Sequence, residues 1–214
     1  MIVRLSGGDE PRYPHLFHQM YRQRHDIYVK RRKWCGLRPI DDLERDQFDT
    51  ASATYLLVLD GADSVLAGLR LLPTSGPHLL ADVFPHLADT LPRGQDVLEL
   101  TRFYVACPAR GPCAQRLVGV LAAGLFEHCL ESGIRRLTSV VDTFLVPRML
   151  DLGWQVRELG APGRYGEGRA VAVEIAVTQT GLDTVRQRRG IDRRVLRTGS
   201  RARAITQLPP TPSG

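Results

Sequence analysis

Two ionisable residues interrupt an otherwise apolar run, and their chemistry suggests proton transfer. Glu99 and Arg102 lie in segment 97–105, VLELTRFYV, which reads as a strand. Ionised groups are costly to bury unless they are paired, so each needs a partner. Alternation along a strand predicts Glu99 and Thr101 on one face and Arg102 on the other, unless a bulge intervenes. The pattern fits a structural ion pair at an edge strand, and it also fits a carboxylate held where a proton is removed.

Other charges are placed to complete a pocket with this pair. Arg70 lies in the apolar run 65–73, VLAGLRLLP, and needs a carboxylate from the protein or from a ligand. Arg24 on the first predicted helix is a third cation. The acidic segment 41–50, DDLERDQFDT, supplies the candidate partners Glu44, Asp46 and Asp49. We assign Asp46 and Asp49 to a network with the three arginines and expect the other acidic residues to be solvated: Asp41, Asp42 and Glu44.

Three aromatic residues are candidates for the walls of the same space, namely Tyr28, Trp34 and Phe84. Carboxylates and aromatic faces attract a cation such as a sulfonium. Arginine forks bind a carboxylate. The residue types therefore suit a small ligand that carries both charges.

The elements that position these residues follow from hydrophobic periodicity and turn signals. The first half has hairpin character, because two apolar runs flank the turn at 61–64. The second half alternates strands and helices, which requires crossover connections. The pattern predicts a mixed sheet with helices on both faces. The segments are strands at 2–5, 54–60, 65–73, 97–105, 134–142, 154–160 and 169–177, helices at 14–32, 113–133 and 143–153, a short helix within 77–87, and loop at 35–53.

Composition limits the class of protein. The chain has 214 residues, 43% of them hydrophobic, which suits one folded domain. It contains no apolar run of the ~18–20 residues that a membrane helix needs, and its first twenty residues lack the apolar core of a signal peptide. We therefore expect a cytoplasmic protein that does not bind a membrane. The four cysteines have no C-x-x-C spacing, which predicts free thiols rather than a zinc site.

The net charge of +6 belongs to the C-terminus. From residue 180 onward there are eight arginines and two aspartates, and the rest of the chain is balanced. We divide the chain into a domain over 1–180 and a basic segment over 181–214, whose end we expect to be disordered. Such a segment suits nucleic acid, an anionic membrane or an acidic protein. It has no aromatic residue to stack on bases, so we expect no nucleic-acid partner.

The arrangement resembles the LuxI-type acyl-homoserine-lactone synthases, the autoinducer synthases of bacterial quorum sensing. Order and spacing match over residues 24–103, and a weaker similarity continues through Gly153 and Trp154. Tyr28 stands where the family usually has Phe, and Thr101 stands where Ser is common. Neither departure removes a charge. The matching positions are Arg24, Tyr28, Trp34, Asp46, Asp49, Arg70, Phe84, Glu99 and Arg102.

The resemblance implies a fold similar to the GCN5-related acetyltransferases, a three-layer α/β/α sandwich whose twisted mixed sheet splays to admit an acyl thioester. It implies that the amine of S-adenosylmethionine takes the acyl group and that the product closes to a lactone, expelling methylthioadenosine. Glu99 and Arg102 are then the catalytic residues. S-adenosylmethionine is a substrate, so no cofactor and no metal is expected. The residues of its pocket and charge network are then Arg24, Tyr28, Trp34, Asp46, Asp49, Arg70 and Phe84.

The acyl donor stays open between acyl carrier protein and acyl-coenzyme A. Of a Gly-rich pyrophosphate loop, only Arg110 and Gly111 are present in the segment 106–115. The alternative activity is that of another N-acyltransferase of the same fold, acting on an amine. The expected walls of the acyl pocket are Leu100, Val140, Thr143, Phe144 and Met149.

Overall fold

A computed structural model describes residues 1–34, 36–107, 111–166 and 168–197. An eight-stranded mixed sheet runs through it in the order β1-β2-β3-β4-β5-β8-β6, with β7 added beside β8. The strands are β1 Ile2–Ser6, β2 Thr54–Leu59, β3 Val65–Pro73, β4 Val97–Val105, β5 Arg136–Asp142, β6 Gln155–Glu158, β7 Gly163–Tyr165 and β8 Gly168–Ala176. The helices are α1 Pro14–Arg24, α2 Leu79–Asp82, α3 Pro112–Glu131, α4 Val146–Asp151 and α5 Gln179–Arg189.

The first predicted helix changes type halfway. It is α-helical to Arg24 and continues as a π-helix over His25–Arg31. π-helical turns are rare and occur frequently at functional sites. The predicted hairpin is present as the antiparallel pair of β2 and β3. The helix predicted at 143–153 is shorter, because a 3₁₀ turn at Thr143–Leu145 precedes α4.

Helices cover both faces of the sheet, as the sequence predicted. On one face, α3 and α5 bury Leu121, Phe126 and Val185 in one hydrophobic cluster. On the other face, α1 packs Phe17 against Tyr55 of β2. A smaller third cluster forms around Leu80, Leu87, Leu159 and Ala172, under α2.

The C-terminal region begins as part of the folded body. α5, which was not predicted from the sequence, packs along α3 and buries Leu182 and Val185 in the same hydrophobic cluster. Beyond it, the backbone at 195–197 pairs beside Ile2 of β1. The division into 1–180 and 181–214 stays a prediction, and residues 198–214 lie outside the described part. In the described ranges, no helix is long and apolar enough to cross a bilayer. Cys107, Cys113 and Cys129 are free thiols.

The strands β4 and β5 diverge, and this divergence positions the site. They are the only parallel neighbours among the described strands, and α3 connects them. Their ladder pairs only Val97–Glu99 with residues 136–138, although β4 continues to Val105 and β5 to Asp142. Glu99 and Thr138 form the last rung. Beyond that rung the two backbones no longer pair, and the Ser139 hydroxyl donates to the Leu100 carbonyl at 2.8 Å instead. This gap in backbone pairing, called the β4–β5 cleft below, agrees with the splayed sheet that the resemblance implied.

Candidate active site

Buried arginines and carboxylates form one connected network. Arg24 of α1 donates to both oxygens of Asp49, with Nη1–Oδ1 at 2.8 Å and Nη2–Oδ2 at 2.9 Å. Arg70 of β3 makes the same bidentate contact with Asp46, at 2.6 and 2.9 Å. The hydroxyl of Tyr55 also donates to Asp49. Burial opposes ionisation of Asp49, but Arg24, Arg70 and the backbone N–H of Asp46 together outweigh burial and hold the pKa of Asp49 well below its usual range.

Arg102 joins this network because a β-bulge turns it. Arg70 is opposite Thr101 and Gly68 is opposite Tyr104, so β4 has two residues where β3 has one. Arg102, in that bulge, has φ +53°. Its side chain consequently shares the face of Glu99 and Thr101, where simple alternation had placed it on the opposite face. The left-handed backbone stores strain of about 1–3 kcal/mol, which the packed surroundings must hold.

The prediction that Glu44 is solvated is wrong. Its side chain is 1% exposed and bridges two arginines, accepting from Nε of Arg24 and from Nη2 of Arg102 at 2.8 Å. Burial raises the pKa of Glu44, but Arg24 and Arg102 outweigh burial and lower it to about 2. Arg102 also binds Asp46 at 2.8 Å. Three buried cations are thus balanced by three carboxylates, and the missed member was one of the candidates that residue type had named.

An aromatic pair covers the cationic end of the network. Tyr28 of the π-helix stacks on Trp34, with ring centres 4.7 Å apart and planes 23° apart. The guanidinium carbon of Arg102 lies 5.3 Å from the Tyr28 ring centre and 5.6 Å from that of Trp34. The Tyr28 hydroxyl donates to the Phe103 carbonyl at 3.3 Å, which is the partner that its extra oxygen required.

Phe84 belongs to a different cluster from this pair. It packs in the third cluster, edge-on to Tyr165 with ring centres 6.4 Å apart. The sequence grouped Phe84 with Tyr28 and Trp34 as one wall, and the structure distributes the three rings over two hydrophobic clusters. A shared role for them stays a prediction.

Glu99 is set apart from the arginines and has a different environment. Its carboxylate is fully buried, and each oxygen accepts one backbone N–H at 2.7 Å, from Leu79 and Leu80 of α2. Burial raises the pKa of Glu99 to about 7, against the opposing effects of these two N–H groups and of Arg70. A carboxylate with this pKa exchanges a proton readily near neutral pH.

The expected acyl walls lie on both faces of the sheet. Leu100 and Met149 are buried in the cluster under α3, whereas Val140 is half-buried beside Phe84 on the opposite face. Phe144 is 58% exposed. Their role as one acyl pocket stays a prediction.

Two further features bear on what the site can hold. No group of three His, Cys, Asp or Glu side chains in the described ranges is arranged to bind a metal ion. Phe48, on whose ring Arg70 packs at 5.9 Å, lines a surface cleft of about 470 Å³ with Leu72 and Pro77. No residue predicted for the site lines that cleft. Arg110, predicted in the loop after β4, lies outside the described residues.

The chain is similar to proteins of known function over most of its length. Residues 10–185 match the family model described as autoinducer synthase. An isovaleryl-homoserine lactone synthase from Bradyrhizobium diazoefficiens is 32% identical over 97% of this chain and 94% of its own length. The solved structure of MesI, a CoA-dependent acyl-homoserine lactone synthase, is 35% identical with a TM-score of 0.82, covering 93% of this chain and 100% of its own.

Two other solved structures extend the comparison. BjaI, a CoA-dependent acyl-homoserine lactone synthase solved with SAM and isopentyl-CoA, is 31% identical with a TM-score of 0.85, covering 96% of this chain and 97% of its own. An acyl-CoA N-acyltransferase from Pseudomonas aeruginosa is 14% identical with a TM-score of 0.53, covering 81% of this chain and 98% of its own. The second likeness shows the fold alone, an acyltransferase α/β sandwich as predicted.

Proposed function

The chain belongs to the autoinducer synthase family and is an acyl-homoserine-lactone synthase, and we propose that its substrates are S-adenosylmethionine and an acyl-coenzyme A. The amine of S-adenosylmethionine attacks the thioester carbon, the amide bond forms, the carbon–sulfur bond breaks, and the thiol of coenzyme A leaves with a proton. The carboxylate oxygen then attacks the γ-carbon. The bond from that carbon to the sulfonium sulfur breaks, which releases methylthioadenosine and the lactone.

Glu99 is the proposed base for the first step. The observation that carries this role is a fully buried carboxylate on the last rung of the β4–β5 ladder, bound within the described chain only by two backbone N–H groups. Burial raises its pKa to about 7, which supports the role. An α-ammonium group is not nucleophilic until it loses a proton. Glu99 takes that proton through a water molecule, and a base with a pKa near the working pH is suited to the task.

The arginine–carboxylate network has a positioning role in this proposal. Its three guanidinium groups are already bound to carboxylates, so the network as a whole carries no free charge. Arg102, which we propose as the second catalytic residue, is held by Glu44 and Asp46 directly under Tyr28 and Trp34. The aromatic faces attract the sulfonium and hold the methionine chain in the conformation that cyclises.

The cleft beyond the last β4–β5 rung is the proposed route of the acyl thioester. All five proposed acyl walls follow that rung on β4 or β5, or lie in the segment after β5: Leu100, Val140, Thr143, Phe144 and Met149. Acyl-coenzyme A is proposed as donor because MesI and BjaI are both described as CoA-dependent. No metal or cofactor takes part in this scheme.

The test is product analysis with the purified full chain. S-adenosylmethionine is supplied with a panel of acyl-coenzyme A thioesters, and in parallel with acyl carrier protein bearing the same acyl groups. Mass spectrometry is expected to detect an acyl-homoserine lactone and an equal amount of methylthioadenosine with the coenzyme A donors. Turnover with the carrier protein alone refutes the donor proposal. An amide product that never cyclises supports the alternative N-acyltransferase activity, and absence of product with every donor refutes the function.

A further inference from the structure

Thr138 lies directly beside the proposed base. In the parallel register of β4 and β5, Glu99 is opposite Thr138, so their side chains leave the same face of the sheet. Neighbouring strands are about 4.8 Å apart. Thr138 is fully buried and occupies the last rung before the cleft opens. Its side chain therefore lies next to that of Glu99.

This hydroxyl has no hydrogen-bond partner among the residues that the structure describes. The buried threonine Thr74 is different, because its hydroxyl donates to the Val97 carbonyl at 2.9 Å and accepts from the Gly94 N–H at 3.3 Å. Buried polar groups are nearly always paired, and an unpaired one destabilises the fold. Valine has the same shape without that penalty. An unpaired hydroxyl at this place marks a position where a polar partner binds.

Among the charged groups around Thr138, Glu99 still has the capacity to accept a hydrogen bond from such a partner. Across β5, Glu174 of β8 is opposite Thr138, but it is engaged by Arg157 at 2.9 Å and by Arg136 at 3.5 Å. On the other side, each oxygen of Glu99 accepts only one N–H, although a carboxylate oxygen accepts more than one. Asp82 of α2 and Arg70 of β3 add charge near Glu99. A water between Thr138 and Glu99 satisfies both groups.

We propose that Thr138 is a positioning residue, whose hydroxyl holds the water through which Glu99 accepts the proton of S-adenosylmethionine. The inference rests on the proposed function and deepens it. The α-ammonium gives a proton to the water, and the water gives one of its own protons to the Glu99 carboxylate. The Thr138 hydroxyl donates a hydrogen bond to the water and keeps its proton. The amine is left with the electron pair that attacks the thioester carbon.

The experiment compares substitutions that differ only in the hydroxyl. Thr138→Ser and Thr138→Ala both lose the methyl group, and only serine keeps the oxygen. Thr138→Val keeps the shape and loses the oxygen. Each variant is assayed with S-adenosylmethionine and an acyl-coenzyme A that the wild type uses, for kcat, for both KM values, and for the pH profile of kcat. Thr74→Ser and Thr74→Ala form the matched control, because that buried hydroxyl is bound by backbone groups.

The expected result separates catalysis from stability. In Thr138→Ala and Thr138→Val, kcat falls about 10- to 100-fold and both KM values stay within about twofold of wild type. This fall in kcat is part of the ~10²–10⁴-fold acceleration that general base catalysis supplies. Thr138→Ser stays within about threefold of wild type, and the midpoint of the kcat pH profile differs from that of wild type in the alanine and valine variants. The melting temperature of Thr138→Val does not fall. Thr74→Ala shows the opposite pattern, with a lower melting temperature and unchanged kcat.

Two results overturn the inference. One is wild-type kcat in Thr138→Ala and Thr138→Val while Glu99→Gln is inactive. The other is an equal loss in the serine and alanine variants, which assigns the effect to the methyl group. If Thr138→Val does not fold, the serine and alanine pair decides. Absence of lactone from the wild type with every donor is a failure of the proposed function, and it is seen before any variant is made.

Discussion

Glu44 was predicted to be solvated but is buried between two arginines, and its substitution is the most direct test of the charge network. Glu44→Gln leaves the side-chain shape and removes the charge that Arg24 and Arg102 share. Breaking a buried ion pair from one side costs about 3–5 kcal/mol. The pKa of Glu44, which is lowered from 4.5 to about 2, gives a second value for this loss of stability. At about 1.4 kcal/mol for each pKa unit, this corresponds to about 3 kcal/mol.

The expected loss of about 3 kcal/mol is large enough to measure by thermal or urea unfolding. For a chain of this size, each kcal/mol shifts the melting temperature by about 2–4 °C, so a fall of about 6–12 °C is expected. The stabilisation by Glu44 is present above its unfolded pKa and is lost as the pH falls from about 4.5 to about 2. The difference between wild type and Glu44→Gln should therefore shrink over that range.

The matched control is Asp41→Asn. It removes the same charge from the same loop at an exposed position whose φ of +52° asparagine tolerates. Its effect is expected within about 0.5 kcal/mol of zero. Equal stability of Glu44→Gln and Asp41→Asn at pH 7 refutes the buried network.

Three further predictions follow from the same geometry. Glu99→Gln abolishes lactone formation while the circular dichroism spectrum is retained. The wild type also loses stability relative to this variant as the pH rises from about 4.5 through 7, because the folded state, in which the pKa of Glu99 is raised, binds the extra proton. Stability curves that stay parallel for the two proteins over this range refute the raised pKa. Arg70→Ala also abolishes lactone formation. Arg70→Lys is inactive as well, because lysine cannot reproduce the bidentate contact with Asp46. Full activity of either variant refutes the role proposed for Arg70. Phe144→Ala changes the free energy of unfolding by less than about 0.5 kcal/mol, since Phe144 is 58% exposed. Trp154→Ala costs about 3–5 kcal/mol, because the Trp154 ring stacks on that of Phe126 with ring centres 5.7 Å apart. Equal losses of stability for the two variants in calorimetry contradict the packing.

Local sequence patterns predicted most elements of the fold. The turn at 61–64 between two apolar runs predicted the hairpin of β2 and β3, because both strands and their turn lie within about twenty residues. Alternation of strands and helices predicted the crossover from β4 through α3 to β5. α5 was missed because its buried face has few large apolar residues among many arginines. The strand β7 was missed because it has only three residues.

The site was predictable in its residue types and less so in its pairings. Arginines within apolar strands had to find carboxylates, since an unpaired buried charge is too costly, and this holds whatever the fold. Which carboxylate each arginine binds is a different matter. Glu44 and Arg102 are 58 positions apart, and no local pattern ranks Glu44 above Asp42.

The sequence by itself determined the family, the class of fold and the need of the three arginines for buried carboxylate partners, because these depend on residue types, periodicity and spacing along the chain. The tertiary structure alone decided three things. The bulge put Arg102 on the face of Glu99, because register depends on both strands. Burial and two N–H groups of α2 set the pKa of Glu99 near 7, because a pKa depends on surroundings in space. The early end of the β4–β5 ladder left Thr138 beside Glu99 without a partner in the described chain, because strand pairing is a long-range contact.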